Sequence, residues 1–421
     1  MKKKINPRET AVKVLMQVVE ENAYSNRALA KALELSSDPR DSSLCTNLTM
    51  VTLRNLILID HIIDSFSKLP VTKMKPFIRN LLRITLCELR FMGGSADYAA
   101  VNEAVNLTKF FGYGSLSGFV NGVLRNIVRN PNKPLLPKQN QPALLYSFPQ
   151  ALAKDLSKWL GEADTKVYME NSLTPPGVTI YANTTKISKF ELMEKLVNLE
   201  PVLLDESDSF FALKSPKNIT EIPEFKNGEF FVMDYGTSLS LSYMNPQPGE
   251  TLIDLTAAPG GKAFAMACMM KNQGLISAYD IHPHKLRLLE STSRKLGLSI
   301  IKSGINDASE FNPQIKKADA VLLDVPCSGL GTIRKHPEIK YKRTRDEIKK
   351  LSSQSKKMLE TASKYVKPGG RLVYSTCTIT PHENENVCET FAAKAGIKIV
   401  KSKTWLPGEY NDGFYAAEFK M

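Results

Sequence analysis

At 421 residues with 43% apolar side chains, the chain exceeds what one hydrophobic core organises, so two or three globular domains are expected. A formal charge of +13 points to a polyanionic partner, nucleic acid ahead of membrane, and six cysteines without a close zinc-type pair argue against a disulfide framework or a metal module. No run of about eighteen apolar residues could span a bilayer, and Met1-Lys-Lys-Lys-Ile-Asn6 lacks the apolar segment of a signal peptide, so a cytoplasmic, membrane-free protein is expected.

From Pro7 to about Asn130 the chain reads as amphipathic helix. Ala11, Val14, Leu15 and Val18 mark one apolar face, and Leu48, Ile59, Ile62, Ile63, Ile78, Leu81, Leu82 and Leu86 continue the helical period as a bundle. Cys45 and Cys87 fall inside these patterns and read as small core residues. Asp97-Tyr-Ala-Ala-Val-Asn-Glu-Ala-Val-Asn106 and Phe119-Val-Asn-Gly-Val-Leu-Arg-Asn126 bring polar side chains onto otherwise apolar helices. With Arg8 and Arg54, these segments resemble the all-helical RNA-binding domain typified by NusB, over residues 1–130. Arg125 and Arg129 read either as an RNA-facing surface or as an ordinary solvated basic face.

Residues 131–142 carry prolines without an apolar period and read as a linker. Residues 143–229 read as a small α+β domain. Two helical patterns, Ala151 to Leu160 and Asp164 to Asn171, precede an alternating strand at Val178, Ile180 and Ala182, a helix near residues 190–197, and short strands near residues 202–204 and 210–213.

Residues 230–421 alternate strand and helix, the pattern of a parallel Rossmann-like α/β sheet whose ligands lie beyond the carboxyl ends of the strands. In Leu252-Ile-Asp-Leu-Thr-Ala-Ala-Pro-Gly-Gly-Lys262 an apolar strand ends in a small-residue loop that leads into a helix, so backbone N–H groups can approach a ligand. Its glycines fit neither a phosphate-binding P-loop nor a dinucleotide fingerprint. Asp280 ends the next strand where a carboxylate can accept hydrogen bonds from both ribose hydroxyls of an adenosine, and S-adenosylmethionine fits this better than NAD.

Cysteines lie just past two later strands. Ala320-Val-Leu-Leu-Asp-Val-Pro-Cys-Ser-Gly329 carries Asp324 and Cys327, and Arg371-Leu-Val-Tyr-Ser-Thr-Cys-Thr378 carries Cys377. One such thiol is more often a buried hydrophobe, but two beside a carboxylate and an adenosine-type cradle suit the methylation of cytosine carbon 5, which requires a thiolate to add at carbon 6. Asp324 could share a proton with the ring nitrogen, and Lys262 could lower the pKa of the attacking thiol.

The constellation resembles the RNA cytosine-C5 methyltransferases, and with the N-terminal module it is similar to the bacterial small-subunit ribosomal RNA enzymes of the RsmB (Sun) type over nearly the whole chain. The resemblance implies Cys377 as nucleophile and Cys327 as the thiol that assists release, with Asp324 and Lys262 in the catalytic site. It implies a cofactor site of Thr256, Ala257, Ala258, Pro259, Gly260, Gly261, Lys262, Asp280, Asp307 and Asp324, with Asn306 the rival to Asp307 for the adenine amino group. It further implies S-adenosylmethionine as methyl donor, no metal, 16S ribosomal RNA or an assembly intermediate as partner, a monomer, and the cytosine at position 967 as target. Thr256 stands where the family commonly has cysteine.

Ile333-Arg-Lys-His-Pro-Glu-Ile-Lys-Tyr-Lys-Arg-Thr-Arg345 is the densest basic stretch with an aromatic inside it and is expected to track RNA phosphates, with Tyr341 available for stacking. His336 has no partner at metal-ligand spacing. The segment from Trp405 to Ala416 reads as a loop and closing strand. The competing readings are a non-catalytic RNA-binding or assembly factor and a methyltransferase for another RNA, protein or DNA.

Overall fold

The computed structural model describes residues 4–34, 36–93, 97–133, 137, 140–204, 209–216 and 218–421. It forms two compact units, Met1–Pro175 with Ile333–Lys342, and Pro176–Thr332 with Arg343–Met421. Among the described residues no helix is long and apolar enough to cross a membrane.

The first unit is built on helices α1 (Pro7–Glu20), α2 (Ser25–Leu33), α3 (Pro39–Arg54), α4 (Leu56–Phe66), α5 (Pro76–Cys87), α6 (Asp97–Phe110) and α7 (Ser117–Arg129). Start signals are explicit: the Asn6 side chain accepts from the Arg8 and Glu9 N–H groups at 3.1 and 3.2 Å, and Pro7 opens α1. α5 is buried on most of its circumference, Asn80, Arg83 and Thr85 included, because it is the central helix, packing against α1, α3, α4, α6 and α7. The periodic residues Leu15, Leu48, Ile59, Ile63, Leu82 and Leu86 are buried in one core, each contributing roughly 1.5–3 kcal/mol. Cys45 and Cys87 lie in that core, and burial pushes their thiols up to about 11 and about 12. After the Pro-rich stretch, of which residues 134–136 and 138–139 lie outside the described residues, Gln150–Asn171 is helical but broken at Gly161 (φ 76°, ψ 169°). That break explains why two separate helical patterns are legible there.

The basic stretch after Thr332 departs from its expected role. Residues Ile333–Lys342 belong to the helical unit, and Arg334, Glu338, Lys340 and Lys342 bond within it. Lys340 is 1% exposed, and its Nζ donates to the carbonyls of Arg54 (2.8 Å) and Tyr146 (3.2 Å), 4.6 Å from the Phe148 ring centroid. The Tyr341 hydroxyl donates to Leu53 O at 2.9 Å, Lys342 Nζ to Ala23 O at 2.6 Å, and buried Arg334 to Pro175 O at 2.9 Å. Glu338, also buried, accepts from the N–H and hydroxyl of Ser25 at the start of α2. The expectation of an RNA-tracking loop with Tyr341 free to stack is therefore corrected: these side chains donate to backbone carbonyls at the ends of helices and in the connections beside them. Arg54 is corrected with them, since it is 6% exposed and donates to Arg334 O at 2.9 Å.

In the second unit, β1 (Val178–Ala182), β2 (Pro201–Leu203), β3 (Phe210–Leu213) and β4 (Phe230–Val232) form an antiparallel sheet of order β2-β3-β1-β4. The larger sheet has the order β10-β11-β9-β8-β5-β6-β7, from β5 (Thr251–Asp254), β6 (Leu275–Asp280), β7 (Ile301–Ile305), β8 (Ala318–Asp324), β9 (Val366–Thr376), β10 (Ile399–Trp405) and β11 (Phe414–Lys420). β5 to β9 pair in parallel, while β11 and β10 close the edge antiparallel. The chain direction across the sheet reverses between β5 and β8, which opens a crevice beyond their carboxyl ends. β10 escapes a reading of the sequence because it is a largely exposed edge strand carrying Lys401 and Lys403, with no apolar run to announce it.

Candidate active site

β5 ends in Asp254, and the following turn is pinned on both sides: Leu255 N–H donates to Leu322 O at 3.0 Å and Ala257 N–H to Tyr279 O at 2.7 Å. Gly260 has φ +119°, and a Cβ there would lie 2.3 Å from the Phe264 ring, so only glycine lets the loop enter the helix Gly261–Met269. The loop lines a cavity of about 440 Å³ with Thr256, Ala257, Ala258, Pro259, Gly261 and Lys262, and with Asp324 from β8. Gly260 shapes this cavity, whereas Asp280 ends β6, Asp307 follows β7, and neither is among its lining residues. Asp280 is buried and accepts from His282 N–H at 2.9 Å. Asp307 is exposed, with Oδ1 accepting from the N–H and hydroxyl of Ser309, which holds its carboxyl below the usual range. Asn306 is the buried member of that pair, and its N–H donates to Asp280 O at 3.3 Å.

Two carboxylates face the cavity in different states. Asp324 Oδ2 pairs with Lys262 Nζ at 2.5 Å, Oδ1 accepts from the Ser375 hydroxyl at 3.0 Å, and Asp324 N–H donates to the Thr256 hydroxyl at 3.1 Å. Thr256 thus serves the site as a hydrogen-bond acceptor. Burial opposes the charge on Lys262, but Asp324, Asp254 and Cys377 more than offset it and raise its pKa. Asp254 was not singled out from the sequence. It is 1% exposed, burial pushes its carboxyl up to about 7 against the pull of Lys262, and its Oδ2 has no hydrogen-bond partner. The available signal was a lone acid inside the apolar run Leu252-Ile-Asp-Leu255. An unpartnered buried carboxylate oxygen beside an open cavity fits a cationic ligand.

Beyond β8 and β9 the two thiols converge, with Cys327 Sγ and Cys377 Sγ 3.2 Å apart and both residues half-buried. Their backbones are locked together, since Gly331 N–H donates to Cys377 O at 3.0 Å and Gly413 N–H to Gly331 O at 2.8 Å. A Cβ on Gly331 would meet Gly413 O at 2.0 Å. The hydrogen bond to Cys377, burial, and the charges of Cys377, Glu383 and Asp324 all hold the Cys327 thiol well above its ordinary range. The protonated form of Cys327 is accordingly favoured, and the two sulfurs lie within hydrogen-bond distance of each other. Among the described residues no group of three His, Cys, Asp or Glu side chains is placed to hold a metal ion.

In the helical unit, α6 and α7 line a shallow groove of about 250 Å³ with Tyr98, Asn102, Lys109, Asn121 and Arg125. Arg125 and Arg129 are exposed, whereas Arg8 donates through Nε to the buried Glu88 at 2.7 Å.

A family model described as 16S rRNA methyltransferase RsmB/F matches residues 241–420, and one described as the NusB family matches residues 5–129. The chain is 34% identical over 400 residues to the probable ribosomal RNA small subunit methyltransferase B of Bacillus subtilis (strain 168), which covers 92% of this chain and 88% of that protein. It is 29% identical over 429 residues to the ribosomal RNA small subunit methyltransferase B of Klebsiella pneumoniae (strain 342), covering 99% of each. Among solved structures, the crystal structure of PH0851 aligns at a TM-score of 0.81 and 25% identity, covering 100% of both chains.

Proposed function

Because the chain belongs to the RsmB/F family of 16S ribosomal RNA methyltransferases, we propose that it methylates carbon 5 of a cytosine in small-subunit ribosomal RNA through a covalent bond between Cys377 Sγ and carbon 6. The observation that carries this reading is the pair of sulfurs 3.2 Å apart beyond the same strand ends as the Lys262–Asp324 pair. S-adenosylmethionine, when bound, supplies an electrophilic methyl group on a sulfonium centre. Thr256 to Lys262 would cradle it, Asp254 would face its positive charge, Asp280 would hold the ribose hydroxyls and Asp307 the adenine amino group.

Cys377 Sγ gives an electron pair to carbon 6, the electrons of the C5–C6 double bond become nucleophilic at carbon 5, and the ring nitrogen takes a proton from the Lys262–Asp324 pair. Carbon 5 would then take the methyl group as the methyl–sulfur bond breaks, its electron pair staying on the departing neutral sulfide. Cys327 first releases its own proton to solvent; as thiolate it then removes the remaining proton from carbon 5, the double bond re-forms, and the breaking C6–S bond returns its electron pair to Cys377 while the ring nitrogen gives its proton back to the Lys262–Asp324 pair. The coupling of the two thiols times this sequence. Before addition the hydrogen bond and charge of Cys377 keep Cys327 protonated. Once Cys377 is a neutral thioether both influences vanish, and Cys327 becomes easier to deprotonate when a base is required.

The position we propose, cytosine 967 of 16S ribosomal RNA, rests on the resemblance to the RsmB type alone. Bisulfite sequencing of ribosomal RNA from a strain lacking the gene tests reaction, base and position together. One protected cytosine should become convertible and regain protection on complementation; an unchanged pattern would contradict the reading.

A further inference from the structure

We infer that Glu383 is a positioning residue that sets the separation of the two catalytic sulfurs by clasping the loops that carry them. Ser328 follows Cys327 and Thr378 follows Cys377. Glu383 is fully buried; its Oε1 accepts from Ser328 N–H at 2.8 Å, and its Oε2 accepts from the hydroxyls of Ser328 at 2.5 Å and Thr380 at 3.0 Å. The Ser328 hydroxyl lies 2.7 Å from that of Thr378, so one carboxylate ties both loops within two hydrogen bonds. The clasp is itself anchored, because the buried Tyr374 hydroxyl on β9 donates to Glu383 O at 2.5 Å. Asn384 completes it by accepting from the Thr376 hydroxyl at 2.6 Å and donating to Thr378 O at 3.0 Å, holding the residues on either side of Cys377.

Ser328, Thr378, Thr380, Glu383 and Asn384 are each 0% exposed. A buried network of this kind is expensive when any member is unpaired and rigid when all are paired. Here every carboxylate oxygen has a donor, so the network resists separation of the loops. Burial raises the carboxyl pKa of Glu383 while the Ser328 bonds oppose it, and its charge is one of the groups that keep the proton on Cys327. The step most sensitive to the clasp is release, in which Cys327 must reach carbon 5 while Cys377 is still bonded to carbon 6 of the same ring.

This inference rests on the assignment of Cys377 as nucleophile and Cys327 as release base. It is tested with the full-length protein, radiolabelled S-adenosylmethionine and transcribed small-subunit ribosomal RNA. E383A should bind S-adenosylmethionine within about twofold of the parent, leave KM for RNA little changed and lower kcat about 10- to 100-fold, with a protein–RNA adduct accumulating on denaturing gels. E383Q should recover most of that loss, because its amide oxygen can accept from Ser328 N–H and its NH2 can donate to the Ser328 and Thr380 hydroxyls. Its rising pH limb should move to lower pH, since a charge that keeps Cys327 protonated is gone. A normal kcat without adduct in E383A, or E383Q as impaired as E383A, would overturn the clasp. Should E383A not fold, Thr378→Val removes one bridging hydroxyl at constant size, and an unchanged kcat there overturns it equally. C377A run alongside separates the two ideas: if it still methylates, the assignment of the thiols has failed, and if it is inactive beside a normal E383A, only the clasp has failed.

Discussion

At the scale of single residues, the site divides into groups that announce themselves in the sequence and groups that do not. Cys327, Cys377 and Asp324 are legible because each sits just past an apolar strand, where a reactive side chain is conspicuous. Glu383 is silent, and Asp254 shows only as a lone acid in an apolar run, because what marks them is the absence of solvent and the choice of partners, which only the fold supplies. Asp254 carries a testable titration. Below the unfolded value of 3.8 both states are protonated; as pH rises from there to about 7 the unfolded chain releases its proton while the folded one keeps it, so stability falls across that window and the loss is complete above it. Asp254→Asn preserves an acceptor for Thr256 N–H and should lack this slope, so the apo variant should exceed the parent at pH ~8 by on the order of 1–4 kcal/mol, with little difference near pH 4. The same variant should bind S-adenosylmethionine about tenfold or more weakly, since a carboxylate facing a cation is lost. Thermal melts and calorimetry check both arms, and equal pH slopes in parent and variant would show that Asp254 is not held protonated by the fold.

At the scale of elements, the helical periods and parallel strands follow from local pattern, while the segment Ile333–Lys342 shows where pattern misleads. A stretch dense in Lys and Arg normally belongs to solvent. Here Lys340, Arg334 and Tyr341 spend their donors on the carbonyls of Arg54, Tyr146, Pro175 and Leu53, residues far away in sequence, and no local rule anticipates partners of that kind. Lys340→Met should leave the Arg54 and Tyr146 carbonyls unpaired and destabilise the helical unit by roughly 1–3 kcal/mol. Burial holds the Lys340 pKa well below 10.5, so the penalty for its charge is full below the folded pKa and is relieved as pH rises from there towards 10.5. The parent should therefore gain stability relative to the variant as pH is raised towards 10.5 in denaturant titrations, and a constant difference would contradict a buried, charge-penalised Lys340.

At the scale of the whole molecule, a net charge of +13 remains to be explained by surfaces other than the buried basic segment. Arg125 and Arg129 on α7 are exposed, and Arg125 lines the groove with Lys109, Asn102 and Asn121. If that face meets phosphates, R125A/R129A should reduce the slope of log affinity against log salt by roughly 0.7 to 0.9 per lost contact, while Lys340→Met leaves it unchanged. An unchanged slope in the double variant would return α7 to an ordinary solvated surface. The most direct measurement of the chemistry compares Cys327→Ala with Cys377→Ala on unmodified small-subunit ribosomal RNA, scoring methyl transfer and covalent protein–RNA adduct on denaturing gels. Cys327→Ala should transfer the methyl group once and stall as an adduct, and Cys377→Ala should yield neither product; adduct accumulating in Cys377→Ala instead, or full turnover without adduct in both, would contradict covalent catalysis by Cys377.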